Sequence, residues 1–206
     1  MKKCCNFSKP TIIISVIVLF IIILSGVCIW KVKKISHFEK RGGTVACGQT
    51  QQDALIKNEV QSAVSVLQVL ADKTTSGELT MTAAQKMGAD ILRTMRYSDG
   101  TGYFWADTKE GTNVVLYGDK TVEGTNRFES QANGIFYVKK IIEAGLLTNG
   151  GYADYFYHKP NETVNKAKRS FSLYFAPFNW VVGTGYYLED VNSGCSGNLG
   201  GKCGRW

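Results

Sequence analysis

Histidine and proline are both scarce in this chain of 206 residues, which holds two of the first and three of the second. Neither His37 nor His158 has a metal-ligand neighbour at usable spacing, so metal catalysis has no support. No G-x-S-x-G is present, and the histidines are poorly placed to serve a nucleophilic serine. The glycine-rich pieces Asp99-Gly-Thr-Gly-Tyr103 and Gly183-Thr-Gly-Tyr186 lack the lysine and following helix that a phosphate cradle needs, and read as turns or strand glycines. No catalytic set emerges; an enzyme is not expected, and no cofactor is called for.

Acidic residues are outnumbered 17 to 24 by Lys and Arg, for a formal charge of +7. A nucleic-acid partner would require those cations to gather on one surface, and they do not. Instead Lys2, Lys3, Lys9 and Lys31, Lys33, Lys34 bracket a charge-free apolar run from Thr11 to Trp30. At about 1.5 Å per residue that run spans roughly 30 Å, the hydrocarbon thickness of a bilayer. It reads as a transmembrane helix over 11–32. A cleaved signal peptide competes, but its apolar part normally runs about 7–15 residues. Lysines flank both ends, so charge alone does not orient the span. Residues 1–10 are placed in the cytoplasm and the remainder outside, a placement that leans on the resemblance below. Of the six cysteines, Cys4 and Cys5 would then lie inside and Cys28 in the bilayer. Cys47, Cys195 and Cys203 remain outside and cannot all pair internally; a Cys195–Cys203 loop and free tail cysteines both stay open.

A juxtamembrane segment, 33–50, contains Arg41-Gly42-Gly43 and Ala46-Cys47-Gly48, which should interrupt a helix. Ile56, Val60, Ala63, Val64, Leu67 and Leu70 then fall at three- and four-residue spacing, predicting an amphipathic helix over 51–71. A second helix is predicted over 82–95, with Thr80 or Thr82 as N-cap. Aromatic and β-branched runs at 102–106 and 112–117, split by a turn at 107–111, predict a hairpin. A helix over 133–144 and strands over 151–158, 169–175 and 180–188 complete the order. The fold class is α+β: a five-stranded antiparallel sheet with a long N-terminal helix on one face.

Tyr103, Trp105, Tyr117, Tyr155 and Tyr157 alternate along these strands, and Arg127 and Lys168 fall near predicted sheet edges. Apolar and aromatic walls with a few fixed polar groups are how small-molecule pockets are built, although each aromatic taken singly suits an ordinary core. A partly buried Arg127 needs an anionic partner, either a ligand carboxylate or Glu123 or Glu129.

Asp99-Gly-Thr-Gly-Tyr-Phe-Trp-Ala-Asp107, Gly124-Thr-Asn-Arg127, Asn133-Gly134, Gly150-Gly151-Tyr152 and Ala176-Pro-Phe-Asn-Trp-Val-Val-Gly-Thr-Gly-Tyr186 together resemble a single Cache domain, an extracytoplasmic sensor module of bacterial chemoreceptors and histidine kinases. The resemblance covers 51–191 and implies a PAS-like sheet with a pocket for small ligands, often short carboxylates, on the face away from the long helix. Tyr103 and Trp105 match the family's Tyr-Phe-Trp strand, and Lys168 the lysine opening its fourth strand. The expected ligand contacts are Tyr103, Trp105, Tyr117, Arg127, Tyr155 and Lys168. One departure is Leu116-Tyr117-Gly118, which stands where many relatives carry His-Pro, so an imidazole contact is missing. The Gly/Cys-rich stretch 192–206 fits neither a domain end nor a membrane entrance, and is expected to mark a truncated product without its output domain. The implied protein is a single-pass inner-membrane sensor with a small-molecule ligand and a homodimer contact along the N-terminal helix. A membrane-anchored adhesin or assembly subunit is the alternative.

Overall fold

The computed structural model describes residues 48–194. The expected cytoplasmic segment, the membrane helix, all six cysteines and most of the juxtamembrane and tail segments lie outside the described residues. Among the described residues no helix is long and apolar enough to cross a membrane.

Helix α1 covers 48–75, so Gly48 is helical rather than part of a break. Its buried stripe, Ile56, Val60, Ala63, Leu67, Leu70 and Ala71, follows the three- and four-residue spacing of an amphipathic helix. The chain reverses at Gly77, whose φ of +80° suits glycine. Helix α2, Met81–Thr94, starts at Thr80, whose hydroxyl accepts from the Ala83 N–H at 3.2 Å. Gly88 allows α2 to sit close against α1, since a Cβ there would lie 2.8 Å from Leu67 Cδ2.

The sheet is antiparallel throughout. Its strands are β1 (Arg96–Tyr97), β2 (Gly102–Thr108), β3 (Asn113–Leu116), β6 (Gly151–His158), β7 (Asn165–Phe175) and β8 (Trp180–Tyr187). Their spatial order is β1-β2-β8-β7-β6, with β3 also paired to β2. The five strands read from the sequence are all present, but the sheet has six because the two-residue β1 adds to β2, and so short a strand carries no alternation to detect. A separate hairpin joins β4 (Gln131–Ala132) to β5 (Ile135–Phe136). Its turn, Asn133 at φ 49° and Gly134 at φ 76°, occupies residues expected to open the third helix, so α3 is the shorter Tyr137–Gly145. A final helix, α4, spans Leu188–Gly194.

The two faces of the sheet are filled differently. Phe104, Ala106 and Val182 join Phe175, Phe178 and Trp180 in one cluster with α1 and α2. Tyr103, Trp105, Val181, Ala153 and Tyr155 face the other way and meet Val138, Ile141 and Ile142 of α3. Each fully buried Leu, Val or Phe contributes about 1.5–3 kcal/mol, so both layers are needed to hold the sheet. Helix α1 is also pinned by charge: the Asp53 carboxylate accepts from Arg169 Nε at 2.9 Å, Arg169 Nη2 at 3.1 Å and the Tyr186 hydroxyl at 2.9 Å. Arg169 in addition reaches both Asp154 oxygens, at 2.9 and 2.8 Å. Helix α4 is tied to the β6–β7 hairpin through Lys159, which pairs with Glu189 at 2.9 Å and Asp190 at 2.7 Å.

Candidate functional site

Strand alternation and one loop assemble a hollow between the sheet and α3. β2 supplies Trp105 and Asp107, β3 Leu116, α3 Tyr137, Val138 and Ile141, β6 Tyr155 and Tyr157, β7 Lys168, and the loop after β3 supplies Arg127. Its volume is about 20 Å³, room for one or two waters at about 10–15 Å³ each. Outside it lies a polar cleft of about 430 Å³, lined among others by Thr125, Asn126, Ser130, Gln131, His158 and Asn165. Arg127, Tyr137 and Tyr157 belong to both spaces.

Of the six residues expected to contact a ligand, Trp105, Arg127, Tyr155 and Lys168 line the hollow and two do not. Tyr103 stands behind Lys168, 3% exposed, and its hydroxyl accepts from Lys168 Nζ at 2.6 Å. Tyr117 is 36% exposed and lies beneath the Arg96 guanidinium, 3.4 Å from its ring centroid, because it falls just past the end of β3. Lys168 is not at a sheet edge. It sits in an interior strand, registered against Tyr155 of β6 and Tyr187 of β8. Arg127 does not pair with Glu123, whose carboxylate is held by Arg93 at 2.9 and 3.1 Å. Its Nη2 donates instead to the Tyr137 hydroxyl at 2.8 Å and the Tyr157 hydroxyl at 3.2 Å.

The hollow is rich in unspent donors. Trp105 Nε1 is buried with no acceptor, and Lys168, 2% exposed, donates to Tyr103 and makes no ion pair among the described residues. Burial pushes the Lys168 amine down to about 7. Ring faces of Tyr103, Trp105, Tyr187 and Tyr157, 4.4 to 5.7 Å from Nζ, act in the opposite direction by favouring the cation. The counterpoint is Asp107, a wall residue missed in the sequence. Burial raises its carboxyl to about 6, against the pull of a 2.8 Å hydrogen bond from Asn113 and the charge of Arg127. Asp107 shares the parity of Tyr103 and Trp105 along β2, a signal hidden because Asp107-Thr-Lys-Glu-Gly111 has the composition of a turn. Tyr137 was concealed by the same shortening that moved the start of α3.

A polar relay runs from the hollow to the end of the sheet. Tyr187 donates its proton to the His158 carbonyl at 2.7 Å, so at their 3.2 Å contact Tyr103 donates to Tyr187, leaving the Tyr103 oxygen to accept from Lys168. Gly183 on β8 makes room for the Trp105 indole; a Cβ there would stand 2.8 Å from the ring. Among the described residues no group of His, Cys, Asp and Glu could hold a metal ion.

This arrangement agrees with known proteins. The chain is 25% identical over 139 residues to the methyl-accepting chemotaxis protein McpP of Pseudomonas putida, a match covering 66% of this chain and 25% of that protein. It is 31% identical over 141 residues to the sensor histidine kinase MctS of Rhizobium johnstonii, covering 68% of this chain and 30% of the kinase. The chain thus matches under a third of the length of either relative. Among solved structures, a periplasmic sensor domain of a chemotaxis protein superimposes with a TM-score of 0.64 at 27% identity, over 68% of this chain and 96% of that one. A methyl-accepting chemotaxis protein from Vibrio parahaemolyticus gives 0.62 at 25%, over 72% and 99%. A Cache chemosensory domain studied for its carboxylic acid recognition shares the fold, with 0.64 at 21% over 68% and 95%. The sequence model described as Single Cache domain 2 matches residues 49–197, most of the chain, and the chain belongs to that family of sensor domains.

Proposed function

We propose that this chain is the extracytoplasmic sensing part of a membrane-anchored receptor and that it binds a short organic acid in the hollow beneath α3. The observation that carries the reading is Lys168, a buried ammonium facing a cavity with no carboxylate paired to it among the described residues, beside the orphaned Trp105 N–H. A buried cation of this kind is costly until an anion arrives. Arg127 and Asp107 couple electrically and offset one another, so one positive charge is left for the ligand to balance. That count favours a single carboxylate over a dicarboxylate. The carboxylic acid recognition described for a domain of the same fold is in keeping with it.

At about 20 Å³ the hollow must widen to admit even a two-carbon acid. Ligand efficiency of about 1.5 kcal/mol per heavy atom caps a six-atom acid near 9 kcal/mol, so micromolar to millimolar dissociation constants are expected. Residues 11–32 would anchor the chain in the inner membrane, with the domain outside. Val66 and Val69, 40% and 55% exposed on α1, suit a homodimer along that helix. The output is chemotaxis or kinase signalling, the two activities named for the relatives. The test is calorimetry of the full chain with acids of two to four carbons, amines and purines: heat with the acids alone is expected, and silence across all three classes would overturn the reading.

A further inference from the structure

Nine of the ten residues lining the hollow come from strands or from α3, and Arg127 alone comes from a loop. Nine are also less than a tenth exposed or at that limit, and Tyr157 alone is more open. Both exceptions sit on the same wall, the one shared with the outer cleft. Across that wall Arg127 Nη2 donates a pair of hydrogen bonds, to the Tyr137 and Tyr157 hydroxyls. A phenol is a weaker acceptor for a guanidinium than a carboxylate is, so an anion arriving in the cleft outcompetes both.

We propose that Arg127, Tyr137 and Tyr157 form a gate, that the polar cleft outside them is the entrance to the hollow, and that a small anion passes by drawing Arg127 off the two hydroxyls. The anionic character of the ligand rests on the reading above; the gate rests on the wall. Thr125, Ser130, Gln131 and Asn165 make the entrance polar, and Asp119 places a carboxylate on its rim that an entering anion must pass. Arg127 is the first positive charge an entering anion meets and Lys168 the second. The gate selects by size at the partition and by charge at Arg127 and, beyond it, Lys168.

The test reads the gate apart from the acid. In the full chain carrying Trp30→Phe, Trp180→Phe and Trp206→Phe, acrylamide reports access to Trp105. Adding Tyr137→Phe and Tyr157→Phe keeps the ring walls and removes the latches. The quenching constant is expected to rise by about threefold or more, as for any opened lid. Unchanged quenching in a folded double variant overturns the gate. Should circular dichroism show that the double variant does not fold, Tyr157→Phe alone, at the longer bond, must show the rise or the gate is overturned. Sodium acetate supplies the second arm: its association and dissociation rates are expected to increase together by about tenfold, with the dissociation constant within about threefold. Acetate affinity that falls while quenching stays constant makes the hydroxyls ligand contacts and overturns the gate. If acetate fails to bind the unsubstituted chain and quenching still rises, the acid reading fails and the gate stands.

Discussion

Lys168 donates to the Tyr103 hydroxyl at 2.6 Å across two strands that are not neighbours, β7 and β2, with β8 between them. The contact spends one of three ammonium hydrogens and points the remainder into the hollow. The amine shares the hollow with the Asp107 carboxyl, so two groups there change charge near neutral pH.

The first prediction concerns stability. Lys168 falls from 10.5 in the unfolded chain to about 7 in the fold, so the unfolded state binds more protons between those values. Stability should therefore rise with pH from about 7 to about 10.5, and the burden of the buried amine should be greatest below pH 7. At about 1.4 kcal/mol per unit the full shift corresponds to about 5 kcal/mol, an upper bound because four ring faces favour the cation. Thermal melts of Lys168→Met are expected to show a higher Tm than the parent at pH 6, with the gap closing by about pH 10. A gap independent of pH would refute the assignment.

Acid binding should follow the same group with the opposite slope. An anion raises the amine's affinity for its proton, so binding takes up a proton near and above pH 7 and weakens as pH climbs beyond it. Calorimetry in buffers of different ionisation heat would detect the uptake. Asp107→Asn, which removes the offsetting negative charge, should tighten acid binding by about tenfold, on the scale of one charge contact in a partly dry site.

Trp105 lines the same hollow with a single unsatisfied N–H. Trp105→Phe keeps the aromatic wall and deletes that donor, so acid affinity should fall by about tenfold, the worth of one hydrogen bond to a charged acceptor. Affinity unchanged by the substitution would place the ligand elsewhere.

Gly183→Ala tests the seating of that indole. The new methyl would stand 2.8 Å from Trp105 and from Ser172 Oγ, so overpacking of about 1–3 kcal/mol is expected, with a displaced Trp105 emission. Urea titration followed by tryptophan fluorescence measures both.

Asp53→Asn should loosen α1. The carboxylate accepts three hydrogen bonds from Arg169 and Tyr186, with Asp53 and Arg169 side chains each 20% exposed. Charged hydrogen bonds of this sort are worth about 1.5–3 kcal/mol, and a loss of that order is expected in denaturant unfolding. Hydrogen exchange should report it first in the N-terminal turns of α1.

The long elements were legible because their periods were. Ile56 to Leu70 repeats every three or four residues, and Tyr103 and Trp105 alternate, which is enough to assign a helix and a strand and to put two aromatics on one face. Lys168 was legible as a residue but not as a place: whether β7 lies inside or at the edge depends on the spatial order of strands, which local sequence does not encode. Asp107 and Tyr137 were lost for a different reason, since each sits where turn-forming residues abut a regular element and composition outweighs parity. The partners of Arg127 were beyond reach altogether, because two neutral hydroxyls leave no charge pattern along the chain.

Lys168 and Arg169 are consecutive, yet one is turned to the hollow and the other to α1. A single peptide bond separates the residue that lines the hollow from the residue that grips α1. Sliding β7 by one position would exchange the two side chains, offering a forked guanidinium to the cavity and an amine to Asp53. The lining of the hollow and the anchorage of α1 are thus set by one and the same alignment of strands, and an insertion or deletion of one residue in β7 would disturb both together.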